Sequence, residues 1–421
     1  MKILHSSDWH LGVDYQGAPR IEEQAAFLTW MLRQVEVHDV DAVIVAGDIF
    51  DNGAPSAEAQ ALYFRFLAQL GSMGGKTAVV VGGNHDSASR LDAPREVLSA
   101  LSTHVVGGYS ADREGQGPLA FKEGVLVPLR VAGEVRAVVA AVPFLHDWRI
   151  GLRDLGLDPG AQHAELTTAF RGVYARLADA AMNQFPGLPL LATGHLTCLP
   201  SARQKPSADD AIPHEINRVG TLGAFGPDVF DARFDYVALG HIHRGFAVDA
   251  GQRVWYSGTP VQVSRTEPAD ARRVLLVDTA SKTEHGGLSV TPLAVPVTRR
   301  LVHVQGTLDE VIERLRRLSW DAAERPPLVS VEAVCETYKA GVEQTLRDAA
   351  PEGANGRAQV VESRVAVRAA SDGKAAVSGL PNGADITPEA AFRFAWRNAH
   401  SGTEPPENVL IHFRALLESE V

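Results

Sequence analysis

Cysteine is scarce in this chain of 421 residues: only Cys198 and Cys335 occur, and no CxxC pair. That excludes a disulfide framework and a zinc knuckle, and leaves two reduced, buried thiols as the expected state in a cytosolic protein. Long apolar runs are missing too. No stretch reaches the ~18 consecutive apolar residues of a membrane span. The opening Met1-Lys2-Ile3-Leu4-His5-Ser6-Ser7-Asp8 breaks its apolar run too early for a signal peptide. The expected location is the cytoplasm, with no membrane attachment. Basic charge is in deficit, 40 Lys and Arg against 51 Asp and Glu, for a net charge of -11. A protein held to DNA by phosphate contacts alone is usually basic. If nucleic acid is the substrate, metal ions and a partner protein must therefore supply the positive field. No internal repeat is present. At roughly 150 residues per domain, the length allows two or three domains, enough to bury a core without disulfides or structural metals.

Short β-branched runs alternate with amphipathic segments up to about residue 275, the signature of an α/β fold. Five runs stand out: Lys2–Ser6, Ala42–Ala46, Ala78–Gly82, Leu188–Thr193 and Tyr236–Leu239. Between them, Leu28, Met31, Leu32 and Val35 form one helical stripe, and Leu166, Phe170, Val173 and Leu177 another. Additional β material at Leu119–Pro143, Arg253–Tyr256 and Arg273–Asp278 points to a two-sheet β-sandwich flanked by helices rather than one doubly wound sheet. The main domain is expected over 1–280. A small α+β domain follows over 297–368, with strands at Leu301–Val304, Leu328–Val334 and Gln359–Ala366 and helices at Leu308–Leu318 and Gly341–Ala350. An Ala-, Gly- and Ser-rich linker covers 369–385. A helix-loop-helix tail covers 386–421, opening on Thr387-Pro388-Glu389, a good helix start.

Each of the five runs ends in a metal-capable polar cluster. These are Asp8-Trp9-His10, Gly47-Asp48, Gly83-Asn84-His85-Asp86, Gly194-His195 and Gly240-His241-Ile242-His243. Ligands of α/β proteins gather at the carboxyl ends of strands, so the five clusters can converge on one crevice. One such cluster alone is an ordinary turn or cap; five at equivalent strand ends are not. Carboxylate, amide oxygen and imidazole without thiolate suit manganese, iron or zinc. Asp8, His10, Asp48, Asn84, His195, His241 and His243 are too many ligands for one ion. They suit two ions about 3.5–4 Å apart, the arrangement that clamps attacking and leaving oxygens in phosphoryl displacement.

The set Asp8-x-His10, Gly47-Asp48, Gly83-Asn84-His85-Asp86, Gly194-His195 and Gly240-His241-x-His243 resembles the calcineurin-type metallophosphoesterase superfamily. Within it, Ser7-Asp8-Trp9-His10-Leu11-Gly12, Gly47-Asp48-Ile49-Phe50-Asp51, Gly83-Asn84-His85-Asp86-Ser87 and Gly240-His241-Ile242-His243-Arg244 are similar to the bacterial branch of DNA nuclease subunits. That branch works with a long coiled-coil ATPase. The resemblance implies a manganese-dependent endo- and exonuclease acting as a homodimer on DNA in repair and recombination. It implies one ion on Asp8, His10, Asp48 and His243, and a second on Asp48, Asn84, His195 and His241, with Asp48 bridging. It also implies that His85 is no ligand but faces the scissile phosphate. Asp51 departs from the histidine of eukaryotic and archaeal relatives, and is expected to orient His85 and favour its charged form.

Four further segments carry expectations. Gly71-Ser72-Met73-Gly74-Gly75-Lys76-Thr77 imitates a phosphate-binding loop, but has one residue too few between its glycines and precedes a strand, so nucleotide binding there is rejected. Arg203, Lys205 and Arg218, together with Arg244 beside His243, are candidates for the DNA backbone. Tyr63 and Phe64 lie in a segment whose apolar groups cover more than one helix face, which suggests a dimer contact. In the tail, Phe392, Trp396, Leu410, Phe413 and Leu417 form apolar faces suited to a groove on the ATPase partner.

Overall fold

The computed structural model describes residues 1–109, 125–146, 159–200, 224–268, 271–335 and 341–367, with 392–393, 396, 403–406 and 409–410 of the tail. Met1–Val367 and Arg368–Val421 are separate compact units.

Two six-stranded sheets form the body of the first unit. In the first, Lys2–Ser6, Ala42–Ala46, Thr77–Val81 and Thr103–Val106 run parallel, and Arg273–Lys282 and Leu288–Ala294 continue the sheet antiparallel. In the second, Glu134–Ala140, Leu190–His195, Tyr236–Gly240 and Val254–Tyr256 are parallel, between the short strand Phe246–Ala247 and Leu126–Val131 at its edges. Alternation along the strands explains the layering. Ile3, Ile44, Val79 and Val81 point into the core between the sheets, and Leu4, Val43, Val45 and Val80 into an outer core beneath helices Ile21–Val37 and Ala57–Ser72. Strands covered on both faces need apolar residues at every position, which is why these runs read as continuous rather than alternating. The helix Pro159–Gln184 covers the other sheet with the expected stripe of Leu166, Phe170, Val173 and Leu177. The expected sandwich flanked by helices is what the chain forms.

The boundary expected at 280 falls short. Leu288–Ala294 pairs along Arg273–Lys282 and extends the main domain to Ala294. Pro292 hides this strand in the sequence, but a proline is tolerated at a sheet edge, where one side of the strand needs no ladder. Beyond it, three parallel strands, Arg299–Thr307, Arg325–Cys335 and Gln359–Val367, carry the helices Leu308–Arg316 and Val342–Ala349 over a separate small core. Every element expected in this domain is present. The first helix opens with a capping box between Thr307 and Glu310.

The dimer expectation at Tyr63 is corrected. Tyr63 is 1% exposed and packs edge-on against Phe50 inside the outer core, whereas Phe64 is 37% exposed. The apolar surface of Ala57–Ser72 is broad because this helix meets both the sheet and the helix Ile21–Val37. Tyr63→Asp is therefore expected to unfold the chain rather than yield a monomer. Losing a buried aromatic costs about 3–5 kcal/mol before the added charge is counted. Circular dichroism melting checks it; a cooperative melt at the wild-type temperature would restore a surface role.

In the tail, the rings of Phe392 and Trp396 lie 6.0 Å apart, Arg393 pairs with Glu404 at 3.2 Å, and Leu410 is 2% exposed. Phe413, Leu417 and the 369–385 linker lie outside the described residues, as do Arg203, Lys205 and Arg218. Among the described residues no helix is long and apolar enough to cross a membrane.

Candidate metal centre

The carboxyl ends of the parallel strands of both sheets meet at one place. The contact across the sandwich is direct: His195 Nδ1 donates to the carbonyl of Ala46 at 2.9 Å, and the amide of His241 donates to Asp8 Oδ1 at 2.8 Å. The turns that follow the strands are strained. Asp8, His10, Asp48 and His241 adopt φ of 52°, 44°, 49° and 96°. Left-handed backbone at non-glycine residues costs on the order of 1–3 kcal/mol each and persists where surrounding structure enforces it, typically at functional sites. Gly83 permits a close approach, since a Cβ there would overlap the Asp48 carboxylate and amide.

Seven side chains converge. His10 Nε2 lies 3.2 Å from His243 Nε2 and 3.7 Å from Asp48 Oδ2. Asp48 Oδ2 lies 3.2 Å from His195 Nε2. Asn84 Oδ1 is 3.0 Å from both His195 Nε2 and His241 Nδ1. Asp8, His10 and His243 offer ligand atoms all within 4.8 Å of one another, and so do Asp8, Asp48 and His195. Asp8, His10, Asp48 and His195 are buried; Asn84, His241 and His243 are half-buried.

The donor set fits a cation. With Nδ1 of His195 donating to Ala46, Nε2 of the neutral ring carries a lone pair that faces the Asp48 carboxylate and the Asn84 amide oxygen. His243 donates Nδ1–H to Glu267 Oε1 at 2.8 Å, which turns its Nε2 lone pair toward His10. Lone pairs facing one another in a buried site repel unless a proton or a metal ion lies among them, and an outer partner fixing the imidazole tautomer is the usual support of a metal ligand.

Charge responds to this crowding. Burial raises the Asp8 pKa against the pull of His195 and His243. Burial also opposes ionisation of Asp48, but the His195 and His10 imidazoles outweigh it and hold Asp48 well below the usual carboxylate range. His195 is the mirror case: burial would lower it, yet Asp48 and Asp8 carry it up to about 9. His241, held down by burial and by His195, falls to about 3.

His85 is exposed at the rim, its ring 4.8 Å from that of His10. Its Nδ1 donates to the backbone carbonyl of Asp51 at 2.7 Å, which leaves Nε2 as the second nitrogen. The Asp51 expectation thus changes in one respect. The main chain of Asp51 orients His85, while its carboxylate lies 3.5 Å from His10 Nδ1. Arg244 follows His243 and is half-buried, close enough to Arg273 that burial and this neighbouring charge both lower the Arg273 pKa.

Three supporting residues receive no role from the sequence alone. Asp86 accepts from the amides of Ile49, Phe50 and Gly83 and so ties together the Asp48 and Asn84 turns. Burial and the neighbouring Asp48 raise its pKa to about 6. Its place beside Asn84-His85 is the one available signal. Glu267 and its partner Arg272 lie in a loop without pattern and give none.

A sandwich whose strand ends gather carboxylate, amide and imidazole in one crevice, with one exposed histidine at the rim, defines a metallophosphoesterase. Residues 1–245 match the family model described as calcineurin-like phosphoesterase. Among curated proteins the chain is 34% identical over 352 residues to SbcD of the SbcCD nuclease of Escherichia coli (strain K12), covering 82% of this chain and 81% of that protein. SbcD of Rhodobacter capsulatus is 39% identical over 326 residues, covering 76% of each chain. That of Bacillus subtilis (strain 168) is 30% identical over 283 residues, covering 66% of each. The chain belongs to the SbcD family of calcineurin-like phosphoesterases and is a metal-dependent hydrolase.

Proposed function

We propose that this chain is the nuclease component of an SbcC-dependent complex, hydrolysing DNA phosphodiester bonds as an endo- and exonuclease in repair, recombination and hairpin processing. The observation that carries the reading is the convergence of seven ligand-type side chains, Asp48 among them, with His85 at the rim. One divalent ion, Mn²⁺ in our reading, is assigned to Asp8, His10, Asp48 and His243, and a second to Asp48, Asn84, His195 and His241. Two such ions would lower the pKa of water and neutralise charge on the phosphate. The chain's own residues do the rest. Glu267 and the Ala46 carbonyl fix the His243 and His195 rings. The Asp51 carbonyl holds Nδ1–H of His85, so that Nε2 can hold a proton for the leaving oxygen. Arg244 at the rim is assigned to the DNA backbone. In a chain of net charge -11, the ions and the coiled-coil ATPase provide most of the positive field. The half-buried tail residues Phe392 and Trp396 are assigned to that partner, Leu410 being already buried within the chain, and the exposed Phe64 is assigned to a second copy of the chain.

The deciding experiment sets hairpin and blunt-ended DNA beside nitrophenyl phosphate esters, in Mn²⁺ and in Mg²⁺, with and without SbcC and ATP. ATP-stimulated cutting of DNA in Mn²⁺ is expected. Turnover of the esters with intact DNA under every condition would instead make the chain a small-molecule phosphoesterase.

Metal uptake should depend on pH. The His195 pKa, raised to about 9, means that the metal-free ring holds a proton at neutral pH and loses it as pH rises. A cation must displace that proton, so Mn²⁺ affinity is expected to climb by about tenfold per pH unit and to flatten above the raised pKa. Calorimetry in buffers of different ionisation enthalpy reads the released proton directly; an affinity that stays constant with pH would contradict it.

A further inference from the structure

The loop from Gly258 to Pro268 joins the metal centre to the small second domain. Three side chains in and beside it are buried: Gln262 is 4%, Glu267 7% and the neighbouring Arg272 5% exposed. Glu267 uses both carboxylate oxygens. Oε1 accepts from His243 Nδ1 at 2.8 Å, and Oε2 accepts from Arg272 Nη1 at 3.1 Å and from the Val263 amide at 3.2 Å. Arg272 Nη1 also donates to the carbonyls of His243 and Thr259, so one guanidinium grips the carboxylate and the ligand's own backbone. Next to it, Gln262 Nε2 donates to the Glu267 carbonyl at 2.6 Å.

The other end of the Gln262 carboxamide belongs to the second domain. Its Oε1 accepts from the Leu301 amide at 2.9 Å and its Nε2 lies 3.3 Å from the Leu301 carbonyl, both on the first strand of that domain. Arg20 clamps the same seam, donating to the carbonyls of Gln262 at 2.7 Å and Arg299 at 3.4 Å. Glu23, 2% exposed, lies 2.7 Å from Arg299 Nε. An unbroken line of buried hydrogen bonds therefore runs from Leu301 through Gln262 and Glu267 to His243.

We propose that Glu267 positions His243 for metal, and that Gln262 ties the main chain of Glu267 to the second domain, so that the seating of that domain sets the affinity of the half-site containing His243. Glu267 is a positioning residue: it fixes the Nδ1–H tautomer and aims Nε2 toward His10. Removal of such outer partners typically weakens metal binding by roughly 10–100-fold. A shift of the strand at Leu301 by a fraction of a hydrogen-bond length pulls on the Gln262 carboxamide and, through the Glu267 backbone, on His243. Whatever moves the second domain, a partner or a bound substrate, would change one ion's hold and leave the other's intact.

The inference rests on the two-ion reading, and Mn²⁺ calorimetry with metal counting on the full chain separates the two. Wild type should bind two ions, with His10→Ala and Asn84→Ala marking which affinity class belongs to which half-site. Glu267→Gln should weaken only the class lost in His10→Ala, by roughly 10–100-fold. Gln262→Leu should weaken the same class several-fold without touching the other. If Gln262→Leu does not fold, Gln262→Glu keeps the acceptor for Leu301, drops the donor to Glu267, and should show the same one-sided loss. Fewer than two ions in wild type would overturn the two-ion reading. Two ions in wild type with unaltered affinities in Glu267→Gln, or equal weakening of both classes, would overturn the positioning role alone. Wild-type affinities in both Gln262 variants would overturn the link to the second domain.

Discussion

Replacing His85 by glutamine is expected to abolish DNA cleavage while both metal ions still bind. His85 stands apart from the seven converging side chains by its exposure. Its Nδ1 is committed to the Asp51 carbonyl, and its backbone amide donates to Asp48 Oδ1 at 2.9 Å. The amide contact survives any side-chain replacement, so the turn that carries Asn84 should stay in place. What disappears is the nitrogen able to hand a proton to the leaving oxygen, a loss of about 10²–10⁴-fold when a general acid is removed. Asp51→Ala serves as the contrast. Since the main chain of Asp51 rather than its carboxylate holds His85, that variant should retain far more turnover, with any change arising through His10. Single-turnover cleavage and metal counting on the same preparations check the pair. Loss of an ion in His85→Gln would make His85 a ligand and remove it from proton transfer.

Much of this centre was legible because its chemistry sits at strand ends, where sequence order and spatial order coincide. Asp8, Asp48, Asn84, His195 and His241 each follow a run of β-branched residues by one to three positions, and parallel pairing brings such ends together. What stayed hidden depends on contacts between distant segments. Glu267 supports His243 from a loop with no periodicity, and nothing local distinguishes it from any exposed glutamate. For Asp51 the residue type points to His85 as neighbour but not to the main-chain contact, because a backbone carbonyl leaves no trace in residue identity. Tyr63 was misplaced for another reason. An apolar helix face too wide for one neighbour can serve an interface or two internal neighbours, and only the packing of Ala57–Ser72 against both sheet and helix decides between them. Pro292 concealed an edge strand by the same logic, since its tolerance there depends on having no partner on one side.

Asp48→Ala should be the most damaging single change, because Asp48 is the residue assigned to both ions. One oxygen lies 3.2 Å from His195 Nε2 and 3.7 Å from His10 Nε2, and the other accepts the His85 amide. His10 is assigned to one ion and His195 to the second, so removal of the carboxylate should weaken both, by more than a single ligand's share. His10→Ala, by contrast, should empty one half-site. The metal-free chain should suffer as well. Asp48 is held well below the ordinary carboxylate range, so its contribution to stability is present above that ordinary range and is lost on acidification through the depressed pKa. Deleting it leaves His195 fully buried without its main counter-charge, and breaking a buried pair from one side costs about 3–5 kcal/mol. Asp48→Asn separates the two effects: it keeps the acceptor for the His85 amide and the shape of the turn but removes the charge that neutralises two cations. The expected order of Mn²⁺ affinity is wild type, then Asp48→Asn, then Asp48→Ala, with both ions affected in each variant. Thermal melts with and without Mn²⁺ should show metal stabilising wild type and leaving Asp48→Ala unchanged. Two ions at full occupancy in Asp48→Ala would end the bridging assignment, and with it the reading of Asp48 as the residue around which the five strand ends are organised.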